Sequence, residues 1–266
     1  MILDKNWRIL TVGDGDLSFS YSLAKHFAPA HLTASVYDSE SELKHKYQDN
    51  AFNKLHDLGI TVVTQFDVTD ALCWQKVPPH AFDAVIFQFP LIPAFDSFES
   101  FQNQTLSVNS LNRKLLREFL INAAAYALDP NGAQLGIITS KDVKPYIEWN
   151  LEGNLINGLE QYYLGQSRFE ISQFPEYQIR NVDRDKHVKD TSGISYYWSV
   201  NPAHAIKEKL KVPDYLGDDY CTVCRAGPFI NDRDKLAHLD SKKHKNMQRH
   251  ESAWLNYLST QAKLER

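Results

Sequence analysis

The chain is poor in cysteine and has no long apolar run. Three cysteines among 266 residues cannot build a disulfide framework. Two of them, Cys221 and Cys224, are separated by two residues, a spacing that argues for metal or redox chemistry in a reducing compartment. No stretch approaches the ~20 apolar residues of a membrane helix; the best candidate, Phe82 to Phe95, is broken by Asp83, Pro90 and Pro93. The opening residues, Met1-Ile2-Leu3-Asp4-Lys5, lack the charged region and apolar stretch of a signal peptide. A cytoplasmic protein, nuclear or nucleolar if eukaryotic, with no membrane association is therefore expected. Internal repeats and low-complexity tracts are also missing.

What the chain does have is enough apolar material to fold: 43% hydrophobic residues, 12% of them aromatic types within the whole, which argues against disorder. Its first two thirds alternate strand-like and helix-like segments. Strands are expected at Trp7 to Val12, Leu32 to Tyr37, Ile60 to Phe66, Phe82 to Phe87 and Ala133 to Thr139. Helices are expected at Asp16 to Phe27, Ser39 to Leu58, Asn109 to Leu128 and Tyr146 to Tyr163. Such alternation builds a mostly parallel sheet with helices on both faces. Two further strands, Arg168 to Phe174 and Ile194 to Val200, joined by a charged loop, fit an antiparallel edge. The expected division is a Rossmann-like domain over residues 1–202, a linker over 203–213 carrying a short helix at Ala203 to Leu210, and a small finger with a C-terminal helix over 214–266.

The turn after the first strand reads Gly13-Asp14-Gly15-Asp16-Leu17-Ser18. Glycines there let the backbone turn sharply and approach a ligand, and exposed N–H groups favour its polar ends. A dinucleotide fingerprint wants a third glycine where Ser18 stands, and two acids beside a pyrophosphate repel it. Those acids suit S-adenosylmethionine, whose amino-acid end carries an ammonium beside a positive sulfonium. Asp38, at the end of the second strand, is placed for both ribose hydroxyls. Asp67, with Val68 beside it, is placed for the adenine amino group. The plainer reading makes the glycines an ordinary tight turn and the acids helix caps; the order of the pieces along the chain favours a cofactor site.

The run Ile9-Leu10-Thr11-Val12-Gly13-Asp14-Gly15-Asp16-Leu17-Ser18-Phe19-Ser20 closely resembles the opening motif of the Rossmann-like family that contains the eukaryotic large-subunit ribosomal-RNA uridine-N3 methyltransferases. Looser matches follow at Ser35 to Ser39, Phe82 to Pro90 and Pro145 to Asn150, so the resemblance spans roughly residues 7 to 200. It implies a class I methyltransferase fold, S-adenosylmethionine as donor and RNA, including rRNA, as substrate. Where that family carries Asn-Phe-Pro-His after the fourth strand, this chain has Gln88-Phe89-Pro90-Leu91. Gln88 can still pair with a base edge, and Phe89 and Phe95 are the aromatics available to stack on a base or to fill the core. No residue in the motif stands out as a catalytic base for uracil N3.

The C-terminal segment places Cys221 and Cys224 thirteen residues before His238, which precedes His244 by five. Two thiolates on a knuckle and two imidazoles on a helix complete zinc's tetrahedral preference. Phe229 and Leu236 are expected to form its small core, and the long histidine gap requires the helix to open near Asp240-Ser241. The finger is expected to be ββα-like. Its sequence from Tyr220 to about Met247 resembles matrin-type fingers, which implies binding to structured RNA or to a protein partner. Although the whole chain carries a formal charge of -4, residues 233–249 hold six basic residues against two acidic ones. Lys242, Lys243, Lys245 and Arg249 are the expected phosphate contacts.

Two functional classes fit. One is an S-adenosylmethionine-dependent RNA methyltransferase whose finger grips structured RNA. The other is a non-catalytic ligand-binding Rossmann-like protein with an RNA- or protein-binding finger, favoured by Gln88 and Leu91. Transfer to another acceptor remains a third option, because a fold does not fix its chemistry.

Overall fold

The structure, a computed structural model, describes every residue except 96, 182, 183, 188–191, 265 and 266. Its centre is a seven-stranded sheet. In chain order the strands are β1 (Arg8–Val12), β2 (His31–Ser35), β3 (Thr61–Val63), β4 (Ala84–Gln88), β5 (Leu135–Ser140), β6 (Tyr162–Phe169) and β9 (Gly193–Ser199); β7 (Arg180–Asn181) and β8 (Arg184–His187) form a separate antiparallel pair. The order across the sheet is β3-β2-β1-β4-β5-β9-β6, with the first five parallel and β9 antiparallel to both β5 and β6. The strand order reverses between β1 and β4, so the carboxyl ends of β1 and β4 flank the crevice where open α/β sheets bind ligands.

The central strands are apolar on both faces, as a doubly covered parallel sheet requires. Every residue of β4 and β5 is buried. One face is covered by α5 (Val108–Asn122), which inserts Leu116, Phe119 and Leu120, and by Trp254 from the C-terminal helix α7 (Lys242–Leu264). The other face is covered by Phe19 of α1 (Ser18–Ser22), by Leu23 beyond it, and by Phe169, Phe174 and Tyr177.

Four local expectations shift. The single helix over Ser39 to Leu58 is two, α2 (Glu40–Lys46) and α3 (Phe52–Asp57). Between them the chain opens so that Ala51 N–H reaches the Asp16 carbonyl at 2.9 Å and Tyr47 is buried beside the glycine turn. The helix expected over Tyr146 to Tyr163 is only a 3-10 turn at Tyr146–Trp149 followed by irregular turns, and Tyr162 already begins β6. The strand expected at Arg168 to Phe174 therefore lies earlier, with a 3-10 turn at Ile171–Gln173 after it. In the linker the short helix is a 3-10 turn, Ala205–Lys209. Part of the charged loop before β9 lies outside the described residues.

The C-terminal segment is fastened to the sheet at several points. Gln166 on β6 exchanges two backbone hydrogen bonds of 2.9 Å with Lys211. From α7, Trp254 is fully buried in the core and its indole N–H donates to the Asn154 carbonyl at 3.0 Å. Glu251 accepts from the buried Arg113 of α5 at 2.5 Å and from Asn154 at 2.7 Å. As the histidine spacing requires, α6 (Asp232–Asp240) stops at Asp240, Ser241 is extended, and α7 begins at Lys242.

Candidate cofactor cleft and metal centre

At the glycine turn the backbone is committed before any ligand arrives. Gly13 has φ +59°, and a Cβ there would lie 2.4 Å from the Phe87 ring, so only glycine fits. Leu17 also holds a left-handed φ of 65°, a conformation costing about 1–3 kcal/mol in a residue of this kind and typical of ligand clamps. The two acids of the turn brace it. Asp14 accepts from the Ser20 N–H at 2.7 Å and the Ser20 hydroxyl at 2.5 Å. Asp16 accepts from the Ser18 N–H at 3.0 Å and from Arg180 Nε at 2.6 Å. Both acids thus cap the first helix while lining the cleft. Burial, and then the charge of Asp16, push the Asp14 carboxyl up to about 7.

The sequence-identified positions converge. Gly13, Asp14, Gly15, Asp16, Asp38, Asp67, Val68 and Gln88 all line one cleft of about 300 Å³ at the carboxyl edge of the sheet. Asp38 is not bare: Lys46 of α2 binds its two oxygens at 3.0 and 3.1 Å. Asp67 accepts from the Thr69 N–H and hydroxyl at 2.8 and 2.7 Å, the local turn bond that short acids favour. The Val68 side chain is buried and its carbonyl accepts from Trp74 and Asn122. Gln88, 6% exposed at the end of β4, has a side-chain oxygen with no partner, an orphan acceptor in the cleft wall. The aromatics expected near the acceptor divide. Phe89 lines the cleft but also packs edge-on against Phe169 with ring centres 5.4 Å apart. Phe95 packs against Phe101 of α4 (Phe98–Gln102), whose Phe98 is exposed.

Sequence reasoning missed two walls. Leu111, Lys114, Leu115 and Glu118 of α5 form one side; their i, i+3, i+4, i+7 spacing was the available signal. The Glu118 carboxyl is held above its usual range by burial. The other wall is the strap Tyr177-Gln178-Ile179-Arg180, which no local pattern marks.

Cys221, Cys224, His238 and His244 assemble, their ligand atoms all within 4.8 Å of one another. The two sulfurs lie 3.4 and 3.6 Å from Nδ1 of His244. His238 Nε2 is buried without a partner, and burial with the adjacent Cys221 pushes the Cys224 thiol up to about 12. Two thiols this close and a partnerless imidazole suit a divalent cation, which would stabilise both thiolates. The finger's apolar support differs from expectation: Phe229 packs on His238 at 5.2 Å, but Leu236 is 65% exposed, and Met247 of α7 is buried instead. Arg225, next to Cys224, is bound at 2.9 Å by Glu152 and at 2.8 Å by Asp142, and lies over the Tyr215 ring. Lys242, Lys243, Lys245 and Arg249 are all exposed; Lys245 pairs with Asp240 and Arg249 with Asn246.

Comparison with known proteins adds to this geometry. A family model described as BMT5-like, rRNA (uridine-N3-)-methyltransferase, matches residues 10–181. The Arabidopsis thaliana protein At4g26485 is 32% identical over 173 residues, 64% of this chain and 79% of its own length. Heavy metal-associated isoprenylated plant protein 41, also of Arabidopsis thaliana, is 33% identical over 181 residues, 67% of this chain but only 33% of that protein. Among solved structures, TrmN from Thermus thermophilus aligns with TM-score 0.41 at 14% identity, covering 73% of this chain and 44% of that one. TYW2 of M. jannaschii in complex with AdoMet aligns with TM-score 0.36 at 15% identity, covering 74% and 71%.

Proposed function

The chain belongs to the BMT5-like rRNA (uridine-N3-)-methyltransferase family, and from that premise we propose that it transfers a methyl group from S-adenosylmethionine to a uracil N3 in structured RNA. The observation that carries this reading is the convergence of the glycine turn, Asp38, Asp67, Val68 and Gln88 on one cleft. S-adenosylmethionine supplies an electrophilic sulfonium methyl, so the protein's part is alignment and exclusion of water.

The residues divide that work. Gly13 lets a ligand approach the backbone, and the negative turn around Asp14 and Asp16 favours a cationic amino-acid end. Asp38 takes the ribose hydroxyls, with Lys46 moving aside or sharing one oxygen. Asp67 accepts from the adenine amino group, and Val68 lies beside the base. Gln88 meets the acceptor base: its orphan oxygen is suited to the N3–H before that proton leaves, while its amide nitrogen can donate to a neighbouring carbonyl. The Cys221, Cys224, His238 and His244 set fits zinc, and the finger presents Lys242, Lys243, Lys245 and Arg249 to phosphates. Lys242 and Lys243 occupy the first turn of a 23-residue helix, where cations oppose the helix dipole, an arrangement that an incoming anion relieves.

Calorimetry with S-adenosylmethionine and its demethylated product tests the donor. Asp38→Ala is expected to weaken both by about 1–3 kcal/mol, the loss of a charge-assisted hydrogen bond. Methyl transfer to RNA, mapped by mass spectrometry of nucleosides, tests the acceptor. Binding without transfer to any RNA would favour the non-catalytic class for which Leu91 speaks, and absence of binding would remove the donor assignment.

A further inference from the structure

The strap that closes the cleft alternates in a telling way. Tyr177 and Ile179 are buried in the core, Tyr177 packing against Phe19 at 5.2 Å and Phe169 at 6.1 Å. Gln178 and Arg180, between and after them, line the cleft. Arg180 is only 5% exposed at its side chain and is spent on Asp16 at 2.6 Å and Asp49 at 2.5 Å, so it braces the turn. Gln178 is fixed through its backbone: its N–H donates to the Ser18 hydroxyl at 3.0 Å, and its carbonyl accepts from the same hydroxyl at 3.3 Å. Its side chain is left over. The side-chain oxygen is buried and has no partner.

A buried acceptor without a donor costs about 1–3 kcal/mol, so its persistence at a cleft wall points to a ligand that brings the donor. We propose that Gln178 reads the amino-acid end of the methyl donor, its side-chain carbonyl accepting a hydrogen bond from the donor's α-ammonium above the glycine turn. The proposal rests on the donor assignment made above. S-adenosylmethionine offers three sets of donors: the ribose hydroxyls, the adenine amino group and the α-ammonium. The first two are accounted for at Asp38 and Asp67, on the far strands β2 and β3. Gln178 is tied to Ser18, in the turn that carries Asp14 and Asp16. Of those two acids, Asp16 already has Arg180, whereas Asp14 has only Ser20 and no cation among the described residues. An ammonium placed there would meet one carboxyl group lacking a counter-charge and one carbonyl lacking a donor.

Binding of three ligands to the full chain by calorimetry tests this. S-adenosylmethionine has the ammonium and the carboxylate, its decarboxylated form has the ammonium alone, and 5′-methylthioadenosine has neither. Gln178→Leu should weaken the first two by about ten- to a hundredfold, the range of a hydrogen bond to a charged group, and leave the third within about twofold. Gln178→Glu, which keeps an acceptor, should retain or tighten binding of the first two. Equal losses for all three ligands would mean that Gln178 only shapes the strap and would overturn the proposal. Loss confined to S-adenosylmethionine would assign the side-chain nitrogen to the carboxylate and overturn it too. Wild-type protein that binds 5′-methylthioadenosine but neither ammonium-bearing ligand would sink this inference while leaving a nucleoside site. Failure to bind all three would remove the donor reading together with it.

Discussion

Glu251 lies near the middle of the C-terminal helix, yet its removal should be felt throughout the fold. Its carboxylate is 2% exposed, accepts from Arg113 Nη2 at 2.5 Å and from Asn154 at 2.7 Å, and faces a guanidinium with no exposure at all. Arg113 has one further bond, from Nη2 to the Glu148 carbonyl at 2.6 Å, while its Nε and Nη1 find no partner. Glu251→Ala would therefore leave a buried cation on one neutral acceptor. Removing one member of a buried pair costs about 3–5 kcal/mol, chiefly because the other charge remains. Urea denaturation followed by tryptophan fluorescence should show that loss as one shifted transition, since Trp254 sits one turn away in the same core. Glu251→Gln, which keeps an acceptor, should lose less. Arg113→Met combined with Glu251→Leu should be more stable than Glu251→Ala, because neither charge is then stranded. A Glu251→Ala protein within about 0.5 kcal/mol of wild type would refute the reasoning, as that is the range of an ordinary surface change. A separate early transition for α7 with an unchanged second one would refute the coupling to the sheet.

Elemental analysis should find one zinc per chain, and Cys224→Ser should abolish it; because Arg225 beside it is bound into Glu152 and Asp142, the melting temperature should fall as well. Zinc-free wild type with unmodified thiols would contradict this. The carboxyl of Asp14 rises from 3.8 to about 7 on folding, so the folded chain keeps a proton that the unfolded chain releases. Its contribution is complete below about pH 4 and is lost as pH rises towards 7, by up to about 1.4 kcal/mol per unit. Asp14→Asn should flatten that fall in denaturation curves taken across the window, and an unchanged slope would count against burial of the acid. Lys242→Ala with Lys243→Ala should weaken binding to structured RNA alike across sequences and lower the salt slope by about one contact per lysine; equal affinity at low salt would point to a protein partner for the finger.

The parallel half of the sheet was legible because its evidence is local. Ile9 to Val12, Ala84 to Phe87 and Leu135 to Thr139 are continuous apolar runs bounded by turn residues, and each became a strand within two residues of its expected limits. The break after Lys46 was not legible. Nothing in Tyr47 to Ala51 forbids a helix; the chain leaves it because Ala51 N–H and the Tyr47 side chain are used by the glycine turn, some thirty residues away. The early start of β6 has the same origin. Tyr162 to Ser167 reads as ambiguous until β9 supplies a partner, and β9 comes more than twenty residues later.

The cleft divides along the same line. Residues at strand ends, Gly13, Asp38, Asp67 and Gln88, are found from sequence because a parallel sheet delivers every carboxyl end to one edge, so their order along the chain fixes their neighbourhood. Gln178 follows no strand of that sheet. It reaches the cleft because Tyr177 and Ile179 anchor in the core around Phe19 and because Ser18 takes both of its backbone groups, three contacts across 160 residues of chain. The finger behaves likewise. Its four ligands were readable from spacing alone, and so was the opening at Ser241. Its attachment was not, since that depends on Arg225, Glu251 and Trp254 each meeting a partner on the sheet side. Because Glu251 binds the helix whose next residue, Lys114, lines the cleft, a change in the metal segment can reach the donor site through α5. Donor affinity measured on the Cys224→Ser protein is therefore expected to fall together with its stability, and donor affinity equal to wild type in a zinc-free chain would show that the cleft is held by the sheet alone.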